Sequence, residues 1–201
     1  MSKLLLVRHG DTELNSAERY WGCSDVKLSA AGSRQAERLR DRLAAQKVDA
    51  IYSSDLKRAS VTAGIIASRH QLDIITCAEL REINFGELEG LTFDKVSQLY
   101  PEVTKLWVEG SPELEYPGGE SLNDFNERVS NFATRLGKHT PEETILIVAH
   151  CGVLMVLMCQ LSGIGLGQRR QFYPDLASLS IMETYGGRAT LTLLNDVSHL
   201  G

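Results

Sequence analysis

The chain has little of what several specialised architectures require. Of its 201 residues only four are cysteine, Cys23, Cys77, Cys151 and Cys159. They form no Cys-x-x-Cys pair and are too sparse for a disulfide scaffold, so reduced thiols in a cytoplasmic protein are the expected state. No apolar run approaches the roughly 18 residues needed to cross a bilayer. The longest, Val153 to Leu161, reads as a buried helix. The N-terminus offers one Lys and a short apolar stretch, Leu4 to Val7, which is not the pattern of a signal peptide. Positive charge is not in excess: 21 Lys and Arg against 26 Asp and Glu give a net charge of −5. No general attraction to nucleic acid or to an anionic membrane is therefore expected. An anionic ligand would need a local basic pocket. Zinc-site spacings such as His-x-x-x-His are missing as well.

What is present is ordinary globular composition, 43% hydrophobic and 23% charged, in a length that suits one domain over residues 1–201. Leu4 to Val7 reads as a strand buried on both faces. From Leu28 a helical period runs through Gly32, Ala36, Leu39 and Leu43, with Ser29 as N-cap. Ala50 to Ser53 is a second strand, and Asp55 is placed to cap a helix with Ala59, Ala63, Ile66 and His70 inward. Leu72 to Thr76 is a third strand. Residues 79–119 look irregular, with a short helix over Thr92 to Leu99 ended by Pro101, and read as an elaboration covering a site. Ser121 to Asp124 resembles a capping box for a helix through Leu122, Phe125, Val129, Phe132 and Leu136, stopped by Gly137. Ile145 to Ala149 is a further buried strand leading into an apolar helix from Val153. Gly163, Gly165 and Gly167 predict a flexible connection. Strands near 176–184 and 189–194 flank a Gly186-Gly187 hairpin turn. The pattern predicts a three-layer α/β/α fold with a mainly parallel central sheet and at least one antiparallel strand.

Two histidines, His9 and His150, each stand immediately after a buried strand, where open α/β sheets bind ligands. Arg8 adjoins the first. Gly10 and Gly152 would let backbone N–H groups approach an anion. A lone strand-end histidine is more often a loop hydrogen-bonding partner, but two such sites and an adjacent arginine favour chemistry.

Arg8-His9-Gly10 after an apolar strand resembles the signature of the histidine phosphatase superfamily, the phosphoglycerate mutase-like proteins. Four further segments resemble its motifs in order: Ser54 to Ala59, Leu80 to Gly90, Pro117 to Ser121, and Val148 to His150. The resemblance implies a metal-independent phosphomonoester hydrolase with no cofactor, acting on a small phosphorylated metabolite. It implies His9 as nucleophile, Arg8 and Arg58 as guanidinium forks on phosphate oxygens, and His150, if protonated near the anion, as a further charged donor. Glu82 would protonate the leaving oxygen and then deprotonate water. Asn15 would reach the substrate from the loop after the first strand. Where the family has glycine after the second histidine this chain has Cys151, a thiol at a helix N-terminus that would tend towards a lowered pKa.

Each assignment has a plainer counterpart. Arg58 could be a solvated helix residue, and Glu79, Glu87 and Glu89 compete with Glu82 as charged loop residues. His70, His139 and His199 have no motif context. Cysteine-dependent phosphatases need Cys-x5-Arg, but the residues six beyond the four cysteines are Ser29, Ile83, Leu157 and Gly165. No Asp-x-Asp pair is present. Among branches, the Pro117 to Ser121 stretch and the short chain look most like the α-ribazole phosphatases. The alternatives are a broad or sugar-phosphate phosphatase, a phosphoglycerate mutase, or a degenerate member that only binds phospholigands. The sequence carries no signal for oligomeric state.

Overall fold

A computed structural model of the chain describes residues 2–14, 19–185 and 188–201. Asn15 and the Gly186-Gly187 turn lie outside the described residues. In chain order the elements are β1 (Lys3–Arg8), α1 (Ala30–Leu43), β2 (Ala50–Ser53), α2 (Lys57–Ala67), β3 (Ile74–Thr76), α3 (Phe93–Leu99), α4 (Pro101–Glu109), α5 (Leu122–Leu136), β4 (Thr144–Ala149), α6 (Cys151–Ser162), β5 (Leu179–Tyr185) and β6 (Arg188–Asp196).

Among the described residues the strands form one sheet in the order β3-β2-β4-β1-β5-β6. The β3-β2, β2-β4 and β4-β1 pairs are parallel, and β5 and β6 add antiparallel pairs at one edge. This is the mainly parallel sheet with antiparallel members that the pattern predicts. The continuous apolar run of β1 has a simple cause. Leu4 and Leu6 pack with Phe125, Val129, Val153 and Leu157 of α5 and α6. Leu5 and Val7 pack on the other face with Leu39, Ala63 and Ile66 of α1 and α2. A strand covered by helices on both sides has no polar face to alternate.

Local signals account for most boundaries. Ser29 caps α1 by accepting from the Gly32 N–H, and Ser121 caps α5 by accepting from the Asp124 N–H at 3.0 Å. Ser121 Oγ also donates to Asp124 Oδ2 at 2.7 Å, so Asp124 grips the hydroxyl rather than completing a reciprocal box through the backbone.

Several expectations are corrected. Asp55 does not cap α2, whose N-cap is Leu56 with no side-chain bond; Asp55 instead pairs with both ends of the Arg81 fork at 2.8 and 2.6 Å. His70 lies beyond the end of α2, in the turn that Gln71, at φ 52°, carries towards β3. The 79–119 segment is more regular than expected: Pro101 ends α3 and also starts α4, where a missing N–H is harmless and the fixed φ suits the first turn. Gly137 does end α5 as expected, though in right-handed conformation, φ −65°. After Gly163 ends α6 at φ 71°, residues Leu166–Phe172 form a 3-10 helix rather than a loose connection. Among the described residues no single helix is long and apolar enough to cross a membrane.

Candidate active site

Because β1 and β4 are parallel neighbours with Arg8 opposite Ala149, the residues just beyond them emerge side by side. His9 and His150 have ring centroids 5.1 Å apart, inclined at 59°. The His9 ring is buried, and its Nδ1 lies 2.7 Å from the Gly10 carbonyl. A carbonyl can only accept, so Nδ1 carries the proton and Nε2 keeps its lone pair. Burial, then the charges of Arg58 and Arg8, hold the His9 pKa well below 6.5. The ring is a neutral imidazole with one free nitrogen.

Arg58, the second residue of α2, is 2% exposed and not on a solvated face. Its Nε donates to His150 Nδ1 at 3.2 Å, and its terminal nitrogens donate to the carbonyls of Ser24 at 2.7 Å and Gly22 at 2.6 Å. The 22–24 loop is itself held by Glu89, which accepts from the N–H groups of Gly22 and Cys23 and from Ser24 Oγ. His150 is wholly buried, and its Nε2 lies 2.8 Å from Ser54 Oγ. Since Nδ1 accepts from a guanidinium, the proton sits on Nε2. Burial first, then the Arg58 charge and the neighbouring His9, push its pKa well below 6.5. A second cation beside Arg58 in this interior is disfavoured, so the His150 ring is neutral here.

Arg8 donates from one terminal nitrogen to the Pro174 carbonyl at 2.9 Å, while its Nε is buried with no partner among the described residues. Its guanidinium stands 5.9 Å from the Tyr173 ring centroid.

Among the described residues Glu82 is the carboxylate that reaches this group. It is 7% exposed, with Oε1 accepting from the Ile83 N–H and Oε2 from the Gly152 N–H, each at 3.0 Å. Its competitors are engaged elsewhere: Glu79 pairs with Arg135, Glu87 accepts from the Tyr100 hydroxyl at 2.9 Å, and Glu89 organises the 22–24 loop. The two glycines serve contacts other than those expected. A Cβ at residue 10 would lie 2.5 Å from the Gly32 carbonyl oxygen, and the Gly10 N–H donates to Thr62 Oγ1. The Gly152 N–H is taken by Glu82.

A cavity of about 180 Å³ joins these parts, lined by Arg8, His9, Arg58, Glu82, Cys151 and Phe85 among others. Beside it lies a cavity of about 420 Å³ that shares Tyr20, Glu82, Phe85 and Cys151 and is walled by Trp107, Tyr116, Phe125 and Tyr173, with Arg169 and Arg170. A larger hollow of about 600 Å³, walled by Ser2, Leu136, His139 and Thr184, contains none of these residues. Cys151 corrects another expectation: burial raises its thiol pKa to about 12, overriding the helix N-terminus. Among the described residues no group of three or more His, Cys, Asp and Glu side chains is placed to hold a metal ion.

The structure thus brings Arg8, His9, Arg58, Glu82 and His150 together, with Asn15 outside the described residues. Sequence reading gives no contact to Ser54, although it follows β2 as His9 follows β1, or to Glu89, and it misses the carbonyls of Gly22 and Ser24. Arg128 is also missed; its place on the polar side of α5 gives no sign that it faces the Glu82 loop.

The family described as "Histidine phosphatase superfamily (branch 1)" matches residues 4–197. The chain is 36% identical over 201 residues to phosphoserine phosphatase 1 of Hydrogenobacter thermophilus, covering 100% of this chain and 95% of that one. It is 32% identical to the adenosylcobalamin/alpha-ribazole phosphatase of Escherichia coli, covering 96% of each. The solved structure of YhfR from Bacillus stearothermophilus superimposes with a TM-score of 0.90 at 33% identity and covers 100% of both chains. With family, sequence and fold in agreement over nearly the whole chain, it belongs to the histidine phosphatase superfamily.

Proposed function

We propose that the chain hydrolyses phosphomonoesters through a phosphohistidine on His9, and that its substrate is α-ribazole 5′-phosphate. The observation that carries the first part is the neutral His9 ring, whose Nε2 is free beside Arg8, Arg58 and Glu82. In the first step Nε2 attacks phosphorus, the bond to the ester oxygen breaks, and the Glu82 carboxyl gives its proton to that oxygen. Arg8, whose Nε has no partner among the described residues, and Arg58 stabilise the charge on the equatorial oxygens. His150 keeps Arg58 oriented rather than adding charge. In the second step water attacks phosphorus, Glu82 takes the water proton, and inorganic phosphate leaves as His9 is restored.

The substrate reading rests on the adjoining cavity. The rings of Tyr20, Phe85, Trp107, Tyr116 and Phe125 wall a space of about 420 Å³ that begins at Glu82, the proposed donor to the leaving oxygen. A flat heterocycle fits such walls by stacking. Arg169 lines the same cavity, with one bond of its own, to the Leu166 carbonyl at 3.2 Å. Its remaining N–H groups suit the hydroxyl oxygens of a ribose. The relatives named above for phosphoserine and α-ribazole phosphate frame the choice.

Two measurements test this. Labelled substrate quenched in base should trap an acid-labile, base-stable adduct that His9→Ala lacks; an active His9→Ala enzyme would end the mechanism. A panel of α-ribazole 5′-phosphate, phosphoserine and 3-phosphoglycerate should give the highest kcat/KM with the first, with release of inorganic phosphate. A preference for phosphoserine would overturn the substrate, and bisphosphate-dependent interconversion of phosphoglycerates would overturn hydrolysis.

A further inference from the structure

Glu82 lies in a stretch without helix or strand, between the 3-10 turns at Ala78–Leu80 and Gly86–Leu88. Such a stretch has no backbone ladder to fix its carbonyls. One side chain supplies the fixing. Arg128 of α5 donates to the Glu79 carbonyl at 2.9 Å, the Arg81 carbonyl at 2.8 Å and the Glu82 carbonyl at 3.3 Å. Its other two bonds go to Glu120, Nε to Oε1 and a terminal nitrogen to Oε2, both at 2.8 Å. A guanidinium has five N–H donors, so the fork is fully used. Glu120 in turn accepts from the Asn84 N–H at 2.8 Å, and its own N–H donates to the Asn84 carbonyl at 3.0 Å. The guanidinium rests 4.9 Å from the centroid of the buried Phe125 ring, so its position is set by the packing of α5.

We propose that Arg128, clamped by Glu120, is a positioning residue that fixes where the Glu82 carboxyl stands relative to the leaving oxygen. It rests on the reading of Glu82 as proton donor and goes beyond it. The clamp holds both flanks of Glu82, through residues 79 and 81 on one side and residue 84 on the other. Arg128 lines neither cavity that joins at Glu82; its hydrogen bond to the wall of those cavities goes to the Glu82 carbonyl, and a lysine in its place would keep its charge beside Phe125 and His150. A lysine keeps the charge but presents one point donor, and cannot hold three carbonyls and a bidentate carboxylate together.

The test compares an alkyl ester, 2-phenylethyl phosphate, with p-nitrophenyl phosphate, whose leaving group departs without a proton. Arg128→Lys should lower kcat on the alkyl ester about 10- to 100-fold, the range expected when a general acid is misplaced by a fraction of its contribution. On the nitrophenyl ester the loss should stay within about threefold, and KM should change little on either. In the Glu82→Gln background, Arg128→Lys should add no further loss on the alkyl ester. Glu120→Gln, which keeps the shape of the clamp, should show the same selectivity to a smaller degree and serves if Arg128→Lys does not fold. Equal losses of kcat on both esters, or a loss that persists in the Glu82→Gln background, would overturn the inference while leaving Glu82 as the acid. Were Glu82→Gln itself to lose equally on both esters, the donor assignment would fail and the positioning role with it.

Discussion

The backbone N–H of Gly152 donates to Glu82 Oε2 at 3.0 Å, and a Cβ at residue 152 would stand 2.4 Å from Oε1 of the same carboxylate. A glycine at the start of α6 thus leaves the Glu82 carboxylate where it stands, and a side chain there would displace it. Gly152→Ala should push the carboxylate out of line and lower kcat/KM on alkyl phosphates about 10- to 100-fold, with much less effect on nitrophenyl phosphate. Steady-state kinetics on the two substrates checks this, and parity of the two losses would refute it.

Stability should depend on pH through the two histidines. Both are held neutral in the folded chain, their pKa values depressed below the ordinary 6.5 chiefly by burial. Below about 6.5 the unfolded chain binds protons that the native chain refuses, so the folded state loses ground as pH falls. The stabilising contribution is present above that value. Urea midpoints measured at pH 7.5, 6.5 and 5.5 should fall in that order, and the slope should flatten in His150→Asn. A midpoint that rises on acidification would contradict the burial argument.

Cys151 should be a poor nucleophile despite its position. With its pKa raised to about 12 by burial, it holds on the order of a thousandfold less thiolate at pH 8 than an ordinary cysteine. Mass spectrometry after iodoacetamide should find Cys151 unmodified over times that fully alkylate free glutathione. Alkylation at the solution rate would show the thiol to be ionised.

The proposed charge compensation by Arg8 and Arg58 leads to a further expectation. Activity should survive EDTA and be blocked by vanadate, which adopts the five-coordinate geometry of phosphorus in transfer. Loss of activity on chelation, restored by magnesium or zinc, would point to a metal-assisted reaction.

The core of this site is legible in the sequence because it follows from strand ends. A run with no polar face marks a strand covered on both sides, and the residue after it must stand at the sheet edge. That pattern alone places His9 and His150. Side-chain capping signals are equally readable at Ser29 and Ser121. What a linear pattern does not carry is the traffic between segments far apart in the chain. Whether Arg58 meets solvent or the Gly22 and Ser24 carbonyls depends on where a loop 34 residues earlier is folded. The charge of His150 depends on a guanidinium 92 residues away. Pro101 reads as a terminator; the next helix follows without an intervening loop, which hides its second role as a first-turn residue. The helix terminus at Cys151 argues for an acidic thiol, and burial, invisible in one dimension, decides the direction instead.

The placement of β1 beside β4 has a bearing on how the molecule comes into being. Lys3 pairs with Thr144 and Arg8 with Ala149, so His9 waits for a partner strand that the ribosome adds much later. Pairings so distant in sequence close late, because the entropy of a long loop must be overcome before they repay it. A growing chain can form α1, α2 and the β2-β3 pair while still lacking His150 and the Gly152 N–H that holds Glu82. No partly folded intermediate therefore carries half an enzyme: during refolding, helical signal should recover ahead of turnover, and turnover should arrive in one step with the closing of the central strand pair.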